Sequence, residues 1–457
     1  ILKLTNSNTI KNILSSNLFY FIVLLVYLIL CFYFLSINNE NRLFSSTDPQ
    51  DYIISAEGLL ECKNFAYKYD NCLPKSWNTP GYPLFISMHM LIFENYIFFV
   101  IFSQLILLLL TAYFSKKIID LHYPNISKWV FLLVLFNPNS YLTANLIQTE
   151  TLFTFLLVYF IYLLNVCKNY KEYVLLGFIT ATCAYVRPAF YYFTLISPFV
   201  FFIYAKYFRN INYKKSIYMA SISGIISLML VGLWVNRNYH IFNEPVFVSN
   251  SGAYVWDNLI EISRLENDNK KIVEKYNILT KQISEKYPVY GAIQTPMSSK
   301  ILIIEAKKEF DFSFDLIIKA TIKSLTNLYL SGGGANLERL ITGEEKSFSK
   351  LNKSYMDFTF NFKSLINEIL SIHFFPILFS IFIKILSLFG IIFLILKSNF
   401  KFIVLTLFPI AYLTPLYGFI GQSRFRVPLE PSFAILATIG IFYIYLILKK
   451  YKNVYFN

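Results

Sequence analysis

Two acidic residues stand next to predicted membrane spans, where a carboxylate could take part in a reaction at the bilayer surface. Asp48 follows an apolar segment that ends near Ile37, and it lies in the run Thr47–Tyr52. Glu150 lies in the short turn Gln148–Thr151 between two apolar segments. A carboxylate there is costly unless it faces a polar cavity. Asp48 is the candidate general base, and Glu150 is a supporting acid that would orient the acceptor or raise the base strength of Asp48. Either acid could instead serve in a helix cap.

Basic residues collect at the ends of other apolar segments on the same predicted membrane face. Arg187 ends one segment, Arg237 and His240 end another, and Arg424 and Arg426 separate the last two. Arginine binds phosphate through two parallel hydrogen bonds, so such a cluster suits a lipid phosphate. For any single arginine, the alternative to phosphate binding is that its side chain only extends from the apolar segment to the membrane interface.

Acids and arginines on one membrane face indicate transfer of a group from a lipid phosphate. A carboxylate takes the proton from an acceptor hydroxyl, which then attacks the anomeric carbon of a sugar. The departing phosphate gains negative charge, which fixed cations stabilise. This chemistry requires no bound metal, although paired acids could hold a divalent cation. The four histidines and five cysteines show no metal-binding spacing.

The composition is that of a helical membrane protein. Of the 457 residues, 56% are hydrophobic and 15% are charged, and the mean hydropathy is +0.50. Soluble domains carry about 25% charged residues. The net charge of +14 belongs mostly to loops between spans, so nucleic-acid binding is not expected.

Hydropathy predicts an all-α polytopic membrane protein with about ten transmembrane helices, in a range of 10 to 12. The predicted spans are 18–37, 97–115, 128–146, 151–167, 173–186, 189–205, 216–236, 370–396, 402–420 and 428–448. With Lys3 and Lys11 on the cytoplasmic side, every second loop is rich in Lys and Arg, as cytoplasmic loops are. This alternation requires that Gly81–Phe93 does not cross, and its 13 or so residues fall short of the roughly 20 needed. We therefore expect an interfacial helix there.

The chain divides into three parts by composition. Residues 1–236 form an N-terminal transmembrane module with the outer loop 38–95, residues 237–365 form an extracytoplasmic segment, and residues 366–457 carry the last spans. Helices are expected in the middle part over 297–310 and over 315–330, the second resting on the membrane. Cys62 and Cys72 lie ten residues apart in the outer loop; they could pair in an oxidising compartment, or remain two thiols.

Five motifs occur in order along nearly the whole chain. They are Asp48–Leu60 with Asn78–Phe85, Gln148–Phe153, Tyr185–Pro188, Trp234–Tyr239 and Ser423–Pro431. Together they resemble motifs of the GT-C membrane glycosyltransferases, and most closely those of the bacterial branch related to protein O-mannosyltransferases and the lipid A aminoarabinose transferase. The resemblance implies a polyprenyl-phosphate sugar donor, an outward-facing site, inversion at the anomeric carbon, and interfacial helices near 49–61 and 81–93.

The resemblance also implies roles for individual residues. Asp48 matches the family's catalytic acid, and Glu150 the acid of the next outer loop. Two positions depart from the family: Pro49 replaces a second acid of the protein mannosyltransferases, and Asn78–Thr79 replaces a lysine of the aminoarabinose transferase, so that Lys75 is the nearest cation. The candidates for the donor and its lipid phosphate are Arg187, Arg237, His240, Arg424, Arg426 and Lys75. The candidates in the substrate loop are Tyr52, Thr79 and Tyr82.

The sequence thus predicts an inverting glycosyltransferase of the bacterial inner (plasma) membrane, with both termini cytoplasmic. Its partners would be a polyprenyl-phosphate sugar, membrane lipid, and an acceptor glycan, lipid or protein. Asp51 is expected only at a helix surface. One rival is a flippase or transporter of lipid-linked saccharides, which calls for ionisable groups near mid-span and internal repeats; the sequence indicates neither. Another is an O-antigen polymerase or ligase, which does not account for the loop around Asp48.

Overall fold

The predicted fold class is confirmed: the chain is an all-α polytopic membrane protein. The structure, a computed structural model, describes residues 17–37, 47–69, 71–266, 269–289, 291–333, 337, 340 and 374–455. In these residues the regular elements are helices, and one isolated β-bridge joins Ala66 to Pro74. The N-terminal lysines, residues 341–365 of the middle segment and part of the outer loop lie outside the described residues.

The first half of the chain forms long apolar helices and the short helices of the outer loop. They are α1 (Asn17–Ile37), α2 (Thr47–Glu61), α3 (Gly81–Ile92), α4 (Tyr96–Asp120), α5 (Ser127–Leu135), α6 (Pro138–Ala144), α7 (Glu150–Val166), α8 (Tyr170–Val186), α9 (Tyr191–Ile203) and α10 (Tyr213–Phe242).

The helices of the second half comprise those of the middle segment and the last apolar helices. They are α11 (Ser251–Ser263), α12 (Asn269–Lys286), α13 (Pro296–Glu309), α14 (Phe314–Leu330), α15 (Phe374–Leu396), α16 (Phe400–Leu416), α17 (Ser423–Arg426) and α18 (Glu430–Tyr455).

Within the described residues, six of the ten predicted spans correspond to helices long and apolar enough to cross a membrane. They are Leu18–Ile37, Tyr96–Asp120, Pro188–Phe208, Tyr213–Phe242, Phe374–Leu396 and Ser423–Lys450. The other four are shorter helices. The predicted span 128–146 is divided into α5 and α6, because Asn137 caps a new helix by accepting a hydrogen bond from Ser140 N and Pro138 follows it at the first helical position.

The outer loop and the middle segment contain the helices that the sequence predicts. Helices α2 and α3 match the ranges expected near 49–61 and 81–93, and α13 and α14 match 297–310 and 315–330. Helix α3 has 12 residues, which is about 18 Å of helix and shorter than the hydrocarbon core. Cys62 and Cys72 form a disulfide in the loop between α2 and α3.

The helices run alternately between two ends of the bundle. The acids and most of the arginines named above lie at one end, here called the loop end. The lysine-rich helix ends meet at the other, here called the basic end, where Arg209 donates to Cys167 O at 2.6 Å and Asn399 donates to the Tyr123 hydroxyl at 3.3 Å.

Helices α15 and α18 pack closely beneath the loop end. A Cβ on Gly390 would stand 2.0 Å from Leu436 O, and one on Gly440 would stand 2.0 Å from Leu386 O. Only glycine permits this approach of the two backbones.

Candidate active site

A cavity of about 900 Å³ opens at the loop end where several helices begin or end. The first turn of α2, the turn before α7 and the connection between α8 and α9 form one side. The segment 245–258, which includes part of α11, and the connection between α16 and α17 form the other. Helix termini and loops at such a junction can present polar groups without breaking a span.

Asp48 and Arg424 form an ion pair in the wall of this cavity. Arg424 Nη1 lies 2.5 Å from Asp48 Oδ2, and both side chains remain partly exposed to the cavity. Helix α2 begins at Thr47, so Asp48 lies in its first turn. The two residues are 376 positions apart in the chain, and the pair joins the first outer loop to α17.

Glu150 and Arg187 form a second, more deeply buried ion pair beside the first. Arg187 Nη1 lies 3.3 Å from Glu150 Oε1, and the two side chains are 10% and 5% exposed. The guanidinium also lies over the rings of Phe153, Tyr417 and Phe425, with distances of 5.3 to 5.8 Å to the ring centroids. Aromatic faces stabilise a cation and fix its plane. The cavity therefore presents two acids, each beside an arginine.

Four buried polar atoms of the cavity wall have no hydrogen-bond partner within the part of the chain that the structure describes. They are Gln148 Oε1, the Tyr417 hydroxyl, Arg424 Nε and Arg187 Nη1, the last of which keeps only its ion pair with Glu150. Leaving such an atom unsatisfied costs about 1–3 kcal/mol. A cavity with spare donors and a spare acceptor fits a polar ligand, such as a phosphate or a sugar.

Two of the three substrate-loop candidates line the cavity. Tyr52 and Thr79 are in its wall, whereas Tyr82 is fully buried behind Tyr52 and donates to Gln104 Oε1 at 2.8 Å. Burial raises the pKa of Tyr52 well above its ordinary value, so this phenol stays neutral. Gly81 allows the loop to reach the site, because a Cβ there would meet Tyr185 O at 2.6 Å.

Lys75 does not reach the cavity. Asp51, which the sequence analysis placed at a helix surface, instead has specific partners. Lys75 Nζ lies 2.5 Å from Asp51 Oδ1 and donates to Ser55 Oγ at 2.8 Å, and its side chain is fully buried. Asn78 donates to the other oxygen of Asp51. Burial lowers the pKa of Lys75 below its ordinary value, although Asp51 opposes the change. The group joins α2 to the following loop.

Arg237 and His240 also lie outside the cavity wall. The Arg237 guanidinium donates to Phe65 O and Lys75 O at 2.7 Å each, so it holds the disulfide-bonded loop against α10. His240 is exposed at the end of α10, beside Tyr239. A role in donor binding has no support from these positions.

Arg426 points away from the cavity into a buried network. Its Nε donates to Glu430 and its Nη1 donates to Leu328 O at 2.6 Å. Lys384 Nζ lies 3.4 Å from Glu430 Oε2. Lys384 stands near the middle of α15, so the inference that the sequence indicates no ionisable group near mid-span is wrong.

Sequence reasoning missed one wall of the cavity, which includes Asn250, Tyr254 and Asn258. Burial raises the pKa of Tyr254 to about 12, so it too is a neutral hydroxyl. No compositional signal marks residues 245–258, whose share of aromatic residues is close to that of the whole chain. Among the described residues, no three His, Cys, Asp or Glu side chains group as metal ligands.

The comparisons with known proteins give one weak likeness. The chain matches no protein-family model and no curated protein. A solved structure that resembles it is the crystal structure of ArnT from Cupriavidus metallidurans in the apo state, with 11% sequence identity, a TM-score of 0.40, and coverage of 93% of this chain and 78% of that chain. A likeness at this level carries no function, which must be inferred from the cavity itself.

Proposed function

We propose that this protein is an inverting glycosyltransferase that takes a sugar from a polyprenyl-phosphate donor at the outer face of the bacterial inner membrane. The observation that carries the proposal is that the Asp48–Arg424 and Glu150–Arg187 pairs line the same cavity. A general base beside two phosphate-binding cations is the set of groups that this transfer needs. The order of sequence motifs shared with GT-C enzymes supports the same reaction.

In the proposed reaction, Asp48 removes the proton of the acceptor hydroxyl as the oxygen attacks the anomeric carbon. An acceptor amine could attack in the same way with loss of a proton to Asp48, whereas an ionised phosphate oxygen could attack without giving up a proton. The bond between that carbon and the donor's phosphate oxygen breaks, and its electron pair leaves with the polyprenyl phosphate. Attack opposite the leaving group inverts the anomeric carbon. Arg424 and Arg187 stabilise the phosphate that departs, and Glu150 keeps the Arg187 guanidinium in position.

The test compares Asp48→Asn with the wild type in lipid nanodiscs, measuring release of polyprenyl phosphate from a labelled donor. Loss of a general base lowers the turnover number by about 10²- to 10⁴-fold. The donor KM should stay equal or fall, because Arg424 loses its carboxylate partner and is free to bind phosphate. Asp315→Asn, an exposed acid on α14, is the matched control and should retain full turnover.

Two results would overturn parts of this proposal. Full turnover by a folded Asp48→Asn variant would exclude Asp48 as the base. A wild-type protein that releases no polyprenyl phosphate from any of a panel of polyprenyl-phosphate sugars would exclude the transferase itself.

One observation favours the flippase alternative: the ionisable Lys384 lies within α15. Against it, Lys384 is held by Glu430 and does not line the cavity. Proteoliposomes with a fluorescent lipid-linked sugar separate the two functions: translocation of intact donor without release of the sugar supports the flippase, and release supports the transferase.

A further inference from the structure

A cluster of charged and polar side chains lies beneath the cavity, where the proposed reaction does not use it. Glu430 is buried and accepts hydrogen bonds from Arg426 Nε and, at 3.1 Å, from Asn137 Nδ2. Lys384 reaches Glu430 from α15 at 3.4 Å and lies over the Phe433 ring, 4.8 Å from its centroid. Charged groups at this depth in a span are costly, and each here has a specific partner.

This cluster holds the short helix α17 in place. Arg426 ends α17 and donates to Leu328 O, which belongs to α14. At the other end of α17, Asn139 donates to Ser423 O at 2.7 Å. With four residues, α17 makes barely one turn, so these external contacts determine its position.

Arg424 and Arg426 leave α17 in different directions. Arg424 enters the cavity and pairs with Asp48, whereas Arg426 is fully buried and pairs with Glu430. Phe425 between them stacks on Tyr417, with ring centroids 5.0 Å apart. The backbone between the two arginines therefore transmits any shift of Arg426 directly to Arg424.

We propose that Lys384, Glu430 and Arg426 are positioning residues that fix the Arg424 guanidinium for binding of an anionic lipid phosphate. Buried ion networks add little net stability compared with apolar packing. We therefore assign these contacts the role of positioning α17 and its Arg424 side chain. Glu430 is the centre of the network, since among the described residues it is the acid paired with both cations. The inference rests on the proposed function, because it takes the phosphate of the donor as the ligand of Arg424.

A double-mutant cycle between Glu430→Gln and Arg424→Gln tests this role. The probe is a fluorescent polyprenyl monophosphate, titrated into each variant in nanodiscs. Glu430→Gln alone should weaken binding about tenfold, and in the Arg424→Gln background it should change binding by less than about twofold. A merely structural role would weaken binding by the same factor in both backgrounds, and that additive result would overturn the inference.

Controls keep the result independent of folding and of the proposed reaction. If Glu430→Gln does not fold, Lys384→Met replaces it in the double-mutant cycle with Arg424→Gln. Lys384→Met retains the Arg426–Glu430 pair. Lys397→Met, on the exposed lysine just after α15, should bind the probe as the wild type does. A wild type that does not bind the probe would overturn the proposed donor class, whereas normal wild-type binding with an additive cycle would overturn only the positioning role.

Discussion

At the scale of single residues, Arg187 has two tasks that can be separated. It neutralises the buried Glu150, and its guanidinium lies among three aromatic rings beside the cavity. Arg187→Lys keeps the charge but loses the planar, stacked donors, so we expect about tenfold weaker donor binding. Arg187→Gln should in addition lower the free energy of unfolding by about 3 kcal/mol, because Glu150 is left buried and unpaired.

The separation is checked by adding Glu150→Gln to Arg187→Gln. Thermal unfolding in nanodiscs should recover toward the wild-type temperature, while the donor KM remains high. If donor KM recovers together with stability, Arg187 serves only to neutralise Glu150, and the phosphate must be bound elsewhere.

At the scale of elements, the sequence predicted helices better than it predicted contacts between them. Helices α3, α13 and α14 follow from local apolar patterns and α2 from the family resemblance, and all four lie within two residues of their expected bounds. The pairing of Asp48 with Arg424 joins residues 376 positions apart. Arg426 is held by Glu430 of α18 and by the Leu328 carbonyl of α14. Periodicity reports which face of a helix is apolar, but the partner of a polar side chain is set by the packing of distant elements.

The element that carries Asp48 is fixed by the pair between Lys75 and Asp51, which gives a prediction with a pH signature. Lys75 has a lowered pKa in the folded protein, so the unfolded chain binds its proton more tightly. Stability contributed by this group is therefore smallest below the folded-state pKa and rises with pH toward the ordinary value of 10.5. Lys75→Met should remove this rise in urea unfolding measured across that range.

Lys319→Met is the matched control. Lys319 is exposed, and among the residues that the structure describes its ion pair is with the nearby Asp315. Its pH profile should follow that of the wild type. A Lys75→Met profile that keeps the full rise would show that other groups, and not this pair, govern the alkaline stability of the loop end.

At the scale of the whole molecule, the alternation of the helices separates two ends of different charge. The cavity with its acids lies at the loop end, and the lysine-rich helix ends lie at the basic end. If cytoplasmic loops carry the excess of Lys and Arg, the cavity faces the outside. For the proposed reaction, this orientation determines which pool of donor and acceptor the cavity can reach.

Cysteine labelling in intact cells tests the orientation with little background. Cys31, Cys167 and Cys183 are buried, and Cys62 is bonded to Cys72. A membrane-impermeant maleimide should therefore react with Glu285→Cys, an exposed site on α12, in cells whose outer membrane alone is permeabilised. Lys397→Cys at the basic end should react only after the inner membrane is disrupted. The opposite pattern would place the cavity in the cytoplasm, where an outward-facing transfer could not occur.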